Sequence, residues 1–299
     1  MNITRRQFLH SAAVISSLAA AQPASLFAQN AKTATRQSIC AFEKPLQFLD
    51  YDETAAVLKN AGYSGVEATV RPGGHVLPEK VEDDLPRYID ALKKRGLEMT
   101  VLTSGISGVD SPHAEKVLRT AAKLGVKRYR MNWYRYDLSK PVLPQLDAIR
   151  PKLKELAALN RELGLTALYQ NHAGPAFIGA PLWDIYSVIK DFDPKEIALA
   201  YDIRHATVES ALSWPIQFHL VKFHIGAVFV KDSAWENGKV KNVPLGQGMV
   251  DKKFFSLLKE INFAGQISVH VEYLDRSKDK NVLAEAFKKD LATLKSLLV

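Results

Sequence analysis

A single cysteine in 299 residues leaves Cys40 without a partner in the chain, so a disulfide framework is excluded. The residue reads instead as a small apolar side chain buried on the first strand. Glycine and proline, at 16 and 14 residues, are too scarce for a collagen-like or low-complexity chain. Once the N-terminus is set aside, no stretch nears the roughly 18 consecutive apolar residues that a membrane helix needs, and no membrane span is expected. Blocks of one charge are missing as well. The 40 Lys and Arg residues are interspersed with 32 Asp and Glu residues, and patches such as Lys93-Lys94-Arg95 and Lys288-Lys289 lie beside acids on helical patterns. A nucleic-acid binder gathers its basic charge on one surface, so no nucleic-acid partner is expected. With 47% apolar residues the chain has the composition of an ordinary globular protein with a large core.

Residues 1–30 contain no acidic residue. Arg5 and Arg6 open the run TRRQFLHSAAV, a mild apolar stretch follows from Val14 to Ala21, and small residues precede Gln29. These are the three parts of a signal peptide, and the paired arginines resemble a twin-arginine export signal. Cleavage after Ala28 or Ala21 and a periplasmic location are the expectations; the other reading is an amphipathic first helix. Export by this route usually follows folding, often around a bound group.

From residue 36 onward short β-branched or apolar runs alternate with longer segments of helical period, the pattern of a parallel sheet built from βα units. The periodicity predicts strands at 37–42, 65–70, 98–103, 126–131, 165–170, 197–202, 225–230 and 266–271. Helices are predicted at about 52–61, 82–95, 111–124, 143–163, 181–190, 206–222, 250–261 and 282–298. Eight of each is the count of a single α/β domain over 36–298, a closed (β/α)₈ TIM barrel. Gly62, Gly96, Gly125 and Gly164 each fall at the end of a helical run, where glycine fits a left-handed C-cap.

Catalytic groups of such a barrel stand where strands end and loops begin, at the C-terminal face. That rule selects Glu67, Arg71 and His75, then Asn132, Tyr134 and Tyr136, then Gln170, Asn171 and His172. It continues with Asp202 and His205, Lys231 and Asp232, and finally Glu272 and Tyr273. His113, His219 and His224 lie on or beside helical patterns and read as surface or structural residues. Lys231 with Asp232 also reads as a plain charged loop, and Arg71 as an ion-pair partner of Glu67. GQG at 246–248 is too short for a phosphate loop and reads as a turn before the seventh helix, so no nucleotide cofactor is expected.

The motifs GYSGVEATVRPGGH (62–75), LYQNHAG (168–174), AYDIRHA (200–206), and VFVKDSAW through VPLGQGMVD to SVHVEYL (228–274) stand at the ends of strands two, five, six, seven and eight. In this order they resemble the xylose-isomerase-like TIM-barrel family, the AP-endonuclease-2-like superfamily of sugar isomerases and epimerases, over residues 36–298. The resemblance implies a divalent metal of the Mn, Mg or Co class held by Glu, Asp, His and Glu on strands five to eight. The matching positions read Gln170, Asp202, Phe229 and Glu272. Two of the four ligands are altered, so Gln170, Asp202 and Glu272 would make at most a loose oxygen site. His205 matches a histidine that generally contacts substrate in the family's D-x-x-H turn.

The resemblance also implies proton abstraction beside a carbonyl, which needs a base, an acid and a stabiliser for the enediolate oxygens. Glu67 and Glu272 are the candidate base and acid, with burial expected to raise a carboxyl pKa towards neutrality. Lys231, Arg71 or a metal at Asp202 would stabilise the oxyanion, and His205 completes the catalytic group. Arg71, His75, Tyr134, His172 and Trp235 are the expected substrate contacts. The implied substrate is a small-molecule carbohydrate, free or glycosidic rather than phosphorylated, and isomerisation, epimerisation, elimination and hydration share one enolate-like intermediate. Two further readings stand beside this: a non-catalytic carbohydrate-binding barrel, suggested by Gln170 and Phe229, and an endonuclease, for which the multi-metal cluster is missing.

Overall fold

Residues 38–274 and 277–299 are described by the computed structural model; the segment 1–30, read above as an export signal, lies outside them. The strands appear in chain order as β1 (Ile39–Phe42), β2 (Gly65–Val70), β3 (Glu98–Ser104), β4 (Arg128–Arg130), β5 (Thr166–Gln170), β6 (Ile197–Asp202) and β7 (Ile225–Val230). After them come β8 (Asp232–Glu236), β9 (Lys239–Val243) and β10 (Gln266–Val269). Eight parallel strands close into a barrel in the order β1-β10-β7-β6-β5-β4-β3-β2. The predicted (β/α)₈ architecture is therefore present, with β10 as its eighth strand.

Because side chains alternate along a strand, one parity faces the barrel axis and the other faces the helices. Val101, Leu168, Ala198, Ala200, Ala227 and Phe229 form a separate, fully buried apolar cluster that fills the barrel interior. The opposite parity, including Tyr169, Tyr201, Val228, Val230 and Val269, belongs to the larger core between sheet and helices. Continuing the inward parity by two residues at the C-terminal ends gives Gln170 after Leu168, Asp202 after Ala200, Lys231 after Phe229 and His270 after Ser268. A polar layer is thereby set on an apolar plug.

Gly62, Gly96, Gly125 and Gly164 have φ between 64° and 95°, the left-handed C-cap geometry that their positions suggested. Two long helical patterns divide. The 143–163 pattern divides into helices Val142–Asp147 and Ile149–Leu163, joined at Ala148, and the 206–222 pattern becomes Ile203–Ser210 and Trp214–Val221. The first of these begins earlier than predicted because the Asp202 carboxylate accepts from the backbone N–H of His205 at 3.1 Å and caps it. The 111–124 pattern starts only at Ala114, after His113 takes φ 60°. Among the described residues no helix is long and apolar enough to cross a membrane.

A feature outside the eightfold pattern follows β7 directly: β8 and β9 pair antiparallel, with Glu236 opposite Lys239 across Asn237-Gly238. Both turn residues have positive φ, 52° and 72°, as a tight hairpin turn requires. Asp232 anchors this hairpin. Its fully buried carboxylate accepts from the backbone N–H groups of Ser233, Gly246, Gly248 and Val250 at 2.8–3.0 Å. A Cβ on Gly248 would lie 2.2 Å from Asp232 Oδ1, so only glycine fits there. The GQG segment is thus a turn, as expected, and its N–H groups are already engaged by protein.

Asp232→Asn would set an NH₂ group against two of those donors. It is expected to cost about 3 kcal/mol or more in urea-induced unfolding, since bonds to a charged acceptor are worth roughly 1.5–3 kcal/mol each. A loss below about 1 kcal/mol would show that the turn does not depend on the charge.

Candidate active site

Lys231 stands at the centre of the polar layer. Only 5% of its side chain is exposed, and Nζ lies 2.5 Å from Glu272 Oε2 and 3.3 Å from Asp202 Oδ2. Asp202 also accepts from Gln170 Nε2 at 2.8 Å, while Gln170 Oε1 accepts from Arg130 Nη1 at 2.5 Å. That pair of partners fixes the amide's orientation: nitrogen to the carboxylate, oxygen to the guanidinium. Asn171 holds the strand end by donating to the Asp202 carbonyl at 3.0 Å and accepting from its N–H at 2.7 Å.

Histidines border this centre. His205 Nδ1 accepts from the backbone N–H of Ala173 at 3.1 Å and from Arg204 Nη1 at 2.9 Å, which leaves the ring proton on Nε2. Nε2 is buried, lies 3.6 Å from Asp202 Oδ2 and has no hydrogen-bond partner. Burial, reinforced by Lys231, holds the His205 pKa well below the ordinary imidazole value, so the ring is a neutral donor. His172 packs on it at 4.0 Å between ring centroids, and for the same reasons its pKa is pushed down to about 4. The indole of Trp133 meets His172 at 4.7 Å and takes the Arg130 guanidinium over its face at 4.7 Å.

A third carboxylate lies deeper in the barrel. Glu67, fully buried, accepts from Thr103 Oγ1 at 2.5 Å, Ser268 Oγ at 2.6 Å and His270 Nε2 at 3.0 Å. Burial alone would raise its pKa, but the charge and hydrogen bond of His270, with Arg130 beyond, outweigh that and bring it below the ordinary value. Glu272 is treated likewise, with Lys231 as the main lowering influence against burial. The expectation that burial moves these carboxyls towards neutrality is therefore reversed: each is met by cations and stays ionised. Glu67 also makes no ion pair with Arg71 among the described residues.

The structure brings Gln170, Asp202, His205, Lys231 and Glu272 into one connected cluster, with His172 at its border. It holds His75 and Tyr134 elsewhere. His75 Nδ1 bonds the buried Glu43 carboxylate at 3.1 Å and Nε2 bonds the Leu49 carbonyl at 2.9 Å, so both ring nitrogens are engaged. Burial works against the charged ring, but the Glu43 carboxylate outweighs it and raises the His75 pKa, making this a structural ion pair. Tyr134 donates to the Ser107 carbonyl and stacks on Tyr169 at 5.9 Å, which ties it into loop packing. Arg71 is half-buried at the end of β2, and Trp235 is exposed on the β8–β9 hairpin. Arg130, Trp133, His270 and Glu43 were not singled out from sequence. Extending inward parity along β4 and β10 would have found Arg130 and His270.

The donor set does not fit a divalent cation. Phe229, at the position where the resemblance puts a metal-binding histidine, packs against His270 at 4.7 Å inside the plug. Lys231, two residues on, sets a cationic group against both carboxylates. Gln170 turns N–H rather than oxygen to the same point. Among the described residues no three His, Cys, Asp or Glu side chains are grouped to hold a metal ion.

The family model described as xylose isomerase-like TIM barrel matches residues 55–297. Among solved structures, 3-keto-D-glucoside 4-epimerase from E. coli is 18% identical, with TM-score 0.65, covering 87% of this chain and 100% of its own. D-psicose 3-epimerase from Clostridium cellulolyticum H10, solved with D-tagatose, is 11% identical with TM-score 0.67, covering 88% and 99%. IolI protein with a zinc atom bound is 18% identical with TM-score 0.68, covering 88% and 98%. At these identities the likeness is one of fold. No curated protein matches the chain.

Because the folded-state pKa of Glu67 lies below its unfolded value of about 4.5, its contribution to stability is present above that pH and lost as pH falls through the folded value. Glu67→Gln is expected to lower unfolding free energy by about 2–3 kcal/mol at pH 7 and by clearly less at pH 3. Equal losses at both pH values would assign the effect to packing rather than charge.

Proposed function

The chain belongs to the xylose isomerase-like TIM-barrel family, and from that premise we propose that it is a sugar isomerase or epimerase acting on a keto-sugar or keto-glycoside. The observation that carries this reading is the set of buried donors lacking acceptors around Lys231. Arg130 Nε, Trp133 Nε1 and His205 Nε2 are all buried without a partner, at the C-terminal end of the barrel. Such donors call for a compact, oxygen-rich ligand, and a carbonyl flanked by hydroxyls supplies one. The structural relatives named for epimerisation of 3-keto-D-glucosides and D-psicose lend support by likeness of fold.

In this reading Glu272, partly exposed and beside Lys231, accepts the proton from the carbon next to the carbonyl. Its depressed pKa makes it a weak base, so the chemistry rests on stabilising the enediolate. Lys231 Nζ and the neutral His205 Nε2–H donate to the developing oxyanion, each such donor being worth roughly 3 kcal/mol in the transition state. Return of the proton by Glu272 to the former carbonyl carbon, with the neighbouring hydroxyl passing its proton to the former carbonyl oxygen, gives isomerisation. Return to the opposite face by a second group gives epimerisation, and departure of a β-substituent gives elimination. Glu67 acts through His270, which it orients from behind, and is a positioning residue. Trp235 offers an exposed aromatic face to a sugar ring.

A non-catalytic carbohydrate-binding role is favoured by one feature, the pairing of Asp202 with Lys231 and of Glu272 with both Lys231 and Lys44. Incubation with 3-keto-glycosides and ketohexoses in D₂O separates the two. Deuterium at the carbon beside the carbonyl, reduced about 10²–10⁴-fold in Glu272→Gln with folding intact, is the expected result. Binding by calorimetry with no exchange would establish the binding role, and exchange unchanged in both Glu272→Gln and Asp202→Asn would remove these residues from the chemistry.

We also propose export through the twin-arginine route, on the strength of Arg5-Arg6 in an acid-free leader. Replacing both arginines by lysine should leave the full-length chain in the cytoplasmic fraction; unchanged recovery in the periplasm would refute it.

A further inference from the structure

The altered ligand positions leave an unusual centre. Two carboxylates, Asp202 and Glu272, converge on one point, and the point holds the ammonium of the chain's own Lys231 at 3.3 and 2.5 Å. The surrounding groups are adapted to that ammonium. Gln170 presents its N–H to Asp202, its oxygen being taken by Arg130. Asp202 Oδ1 caps the helix that starts at Ile203, which leaves Oδ2 for Lys231 and Gln170. Two carboxylates facing each other, Asp202 fully buried and Glu272 mostly covered, are costly without a cation, so the position demands positive charge from some source.

We infer that Lys231 is a fixed cation built into the position of a divalent metal, so that the native protein excludes metal there while a latent metal site lies beneath the lysine. The ammonium is a compact point charge on a stem delivered by β7, whose Val228 and Val230 pack outward and lock the strand against the helices. It supplies one positive charge and three N–H donors, one of which Glu272 accepts, while Asp202 is held as an ion pair. A further N–H is available to a ligand oxygen. A divalent ion entering beside it would meet a like charge at contact distance. Removing the side chain would instead leave Asp202 Oδ2 and Glu272 Oε2 aimed at the vacated point, with His205 nearby and Lys44 Nζ held 3.5 Å from the other Glu272 oxygen.

This inference concerns the same site as the sugar-isomerase reading, but its test counts bound metal rather than turnover, so either can fail alone. Full-length mature protein purified without chelator would be assayed by elemental analysis, then titrated with Mn²⁺ and followed by paramagnetic resonance of the free ion. Wild type is expected to carry no stoichiometric metal and to bind Mn²⁺ at least a hundredfold more weakly than Lys231→Ala, which should take one equivalent. Asp202→Asn placed on Lys231→Ala should abolish the gain. Lys231→His provides a second metal-gaining variant with a bulkier side chain should the alanine variant fail to fold, and Lys231→Arg should still exclude the ion. One equivalent of metal in wild type, lost in Asp202→Asn, would overturn the inference. So would a folded Lys231→Ala or Lys231→His, judged by circular dichroism, whose Mn²⁺ affinity equals that of wild type.

Discussion

The fully buried carboxylates of Glu67 and Asp202, the mostly covered Glu272 beside them and the buried Glu43 just outside the polar layer must each be met by positive charge or by donors, because a bare carboxylate away from water is too costly to keep. Glu67 is met by His270, Ser268 and Thr103, Asp202 and Glu272 by Lys231, and Glu43 by His75 and Thr69. Much of the site follows from this compensation. Glutamine at 170 can donate to Asp202 only because Arg130 takes its oxygen. His205 stays neutral because Lys231 already supplies the local positive charge and burial disfavours another. The groups form a single electrostatic unit rather than a row of independent side chains.

The closed sheet decides which residues enter that unit. In a barrel of eight parallel strands the interior has room for a few layers of side chains, and here an apolar cluster that reaches Phe229 fills much of it, with Ser268 and Glu67 level with its upper members. The apolar plug keeps water out from below, and the aromatic contacts of Phe42, Phe229 and His270 continue it up to the first polar atoms. Charges in the layer above therefore interact through protein rather than through solvent, which strengthens both their mutual attraction and their hold on a ligand.

Much of the fold was legible from periodicity. Eight β-branched or apolar runs alternating with helical segments, four of which end on glycine, left little room for another architecture, and those four glycine C-caps took the left-handed geometry their positions required. The helix breaks at Ala148 and at Ala211–Ser213 were not legible, since the apolar spacing continues through them and neither following helix has a side-chain cap to mark its start; the early start at Ile203 comes from the Asp202 cap. The β8–β9 hairpin carried a readable signal in Asn237-Gly238 but fell outside the eightfold count. In the site, strand-end position found Asp202, His205, Lys231 and Glu272. It passed over Arg130 and His270, which face inward one step nearer the barrel. Matching by motif alone put the strand-seven position at Phe229, whereas counting parity upward from the plug arrives at Lys231. The pKa expectation reversed for the same reason: burial read from sequence carries no information about which cation stands beside the acid.

Asp232 and Lys231 are neighbours with opposite tasks: one faces the turn at Gly246–Gly248, the other the barrel centre. Since four backbone N–H groups converge on Asp232, the hairpin is moored at its base. Beyond that mooring the hairpin carries Trp235 out to solvent, while its return strand β9 packs against the Glu272–Leu274 turn. One hairpin thus touches both the mouth and the segment that bears Glu272, so a shift in its register would be transmitted to the reacting centre as well as to what is admitted at the mouth.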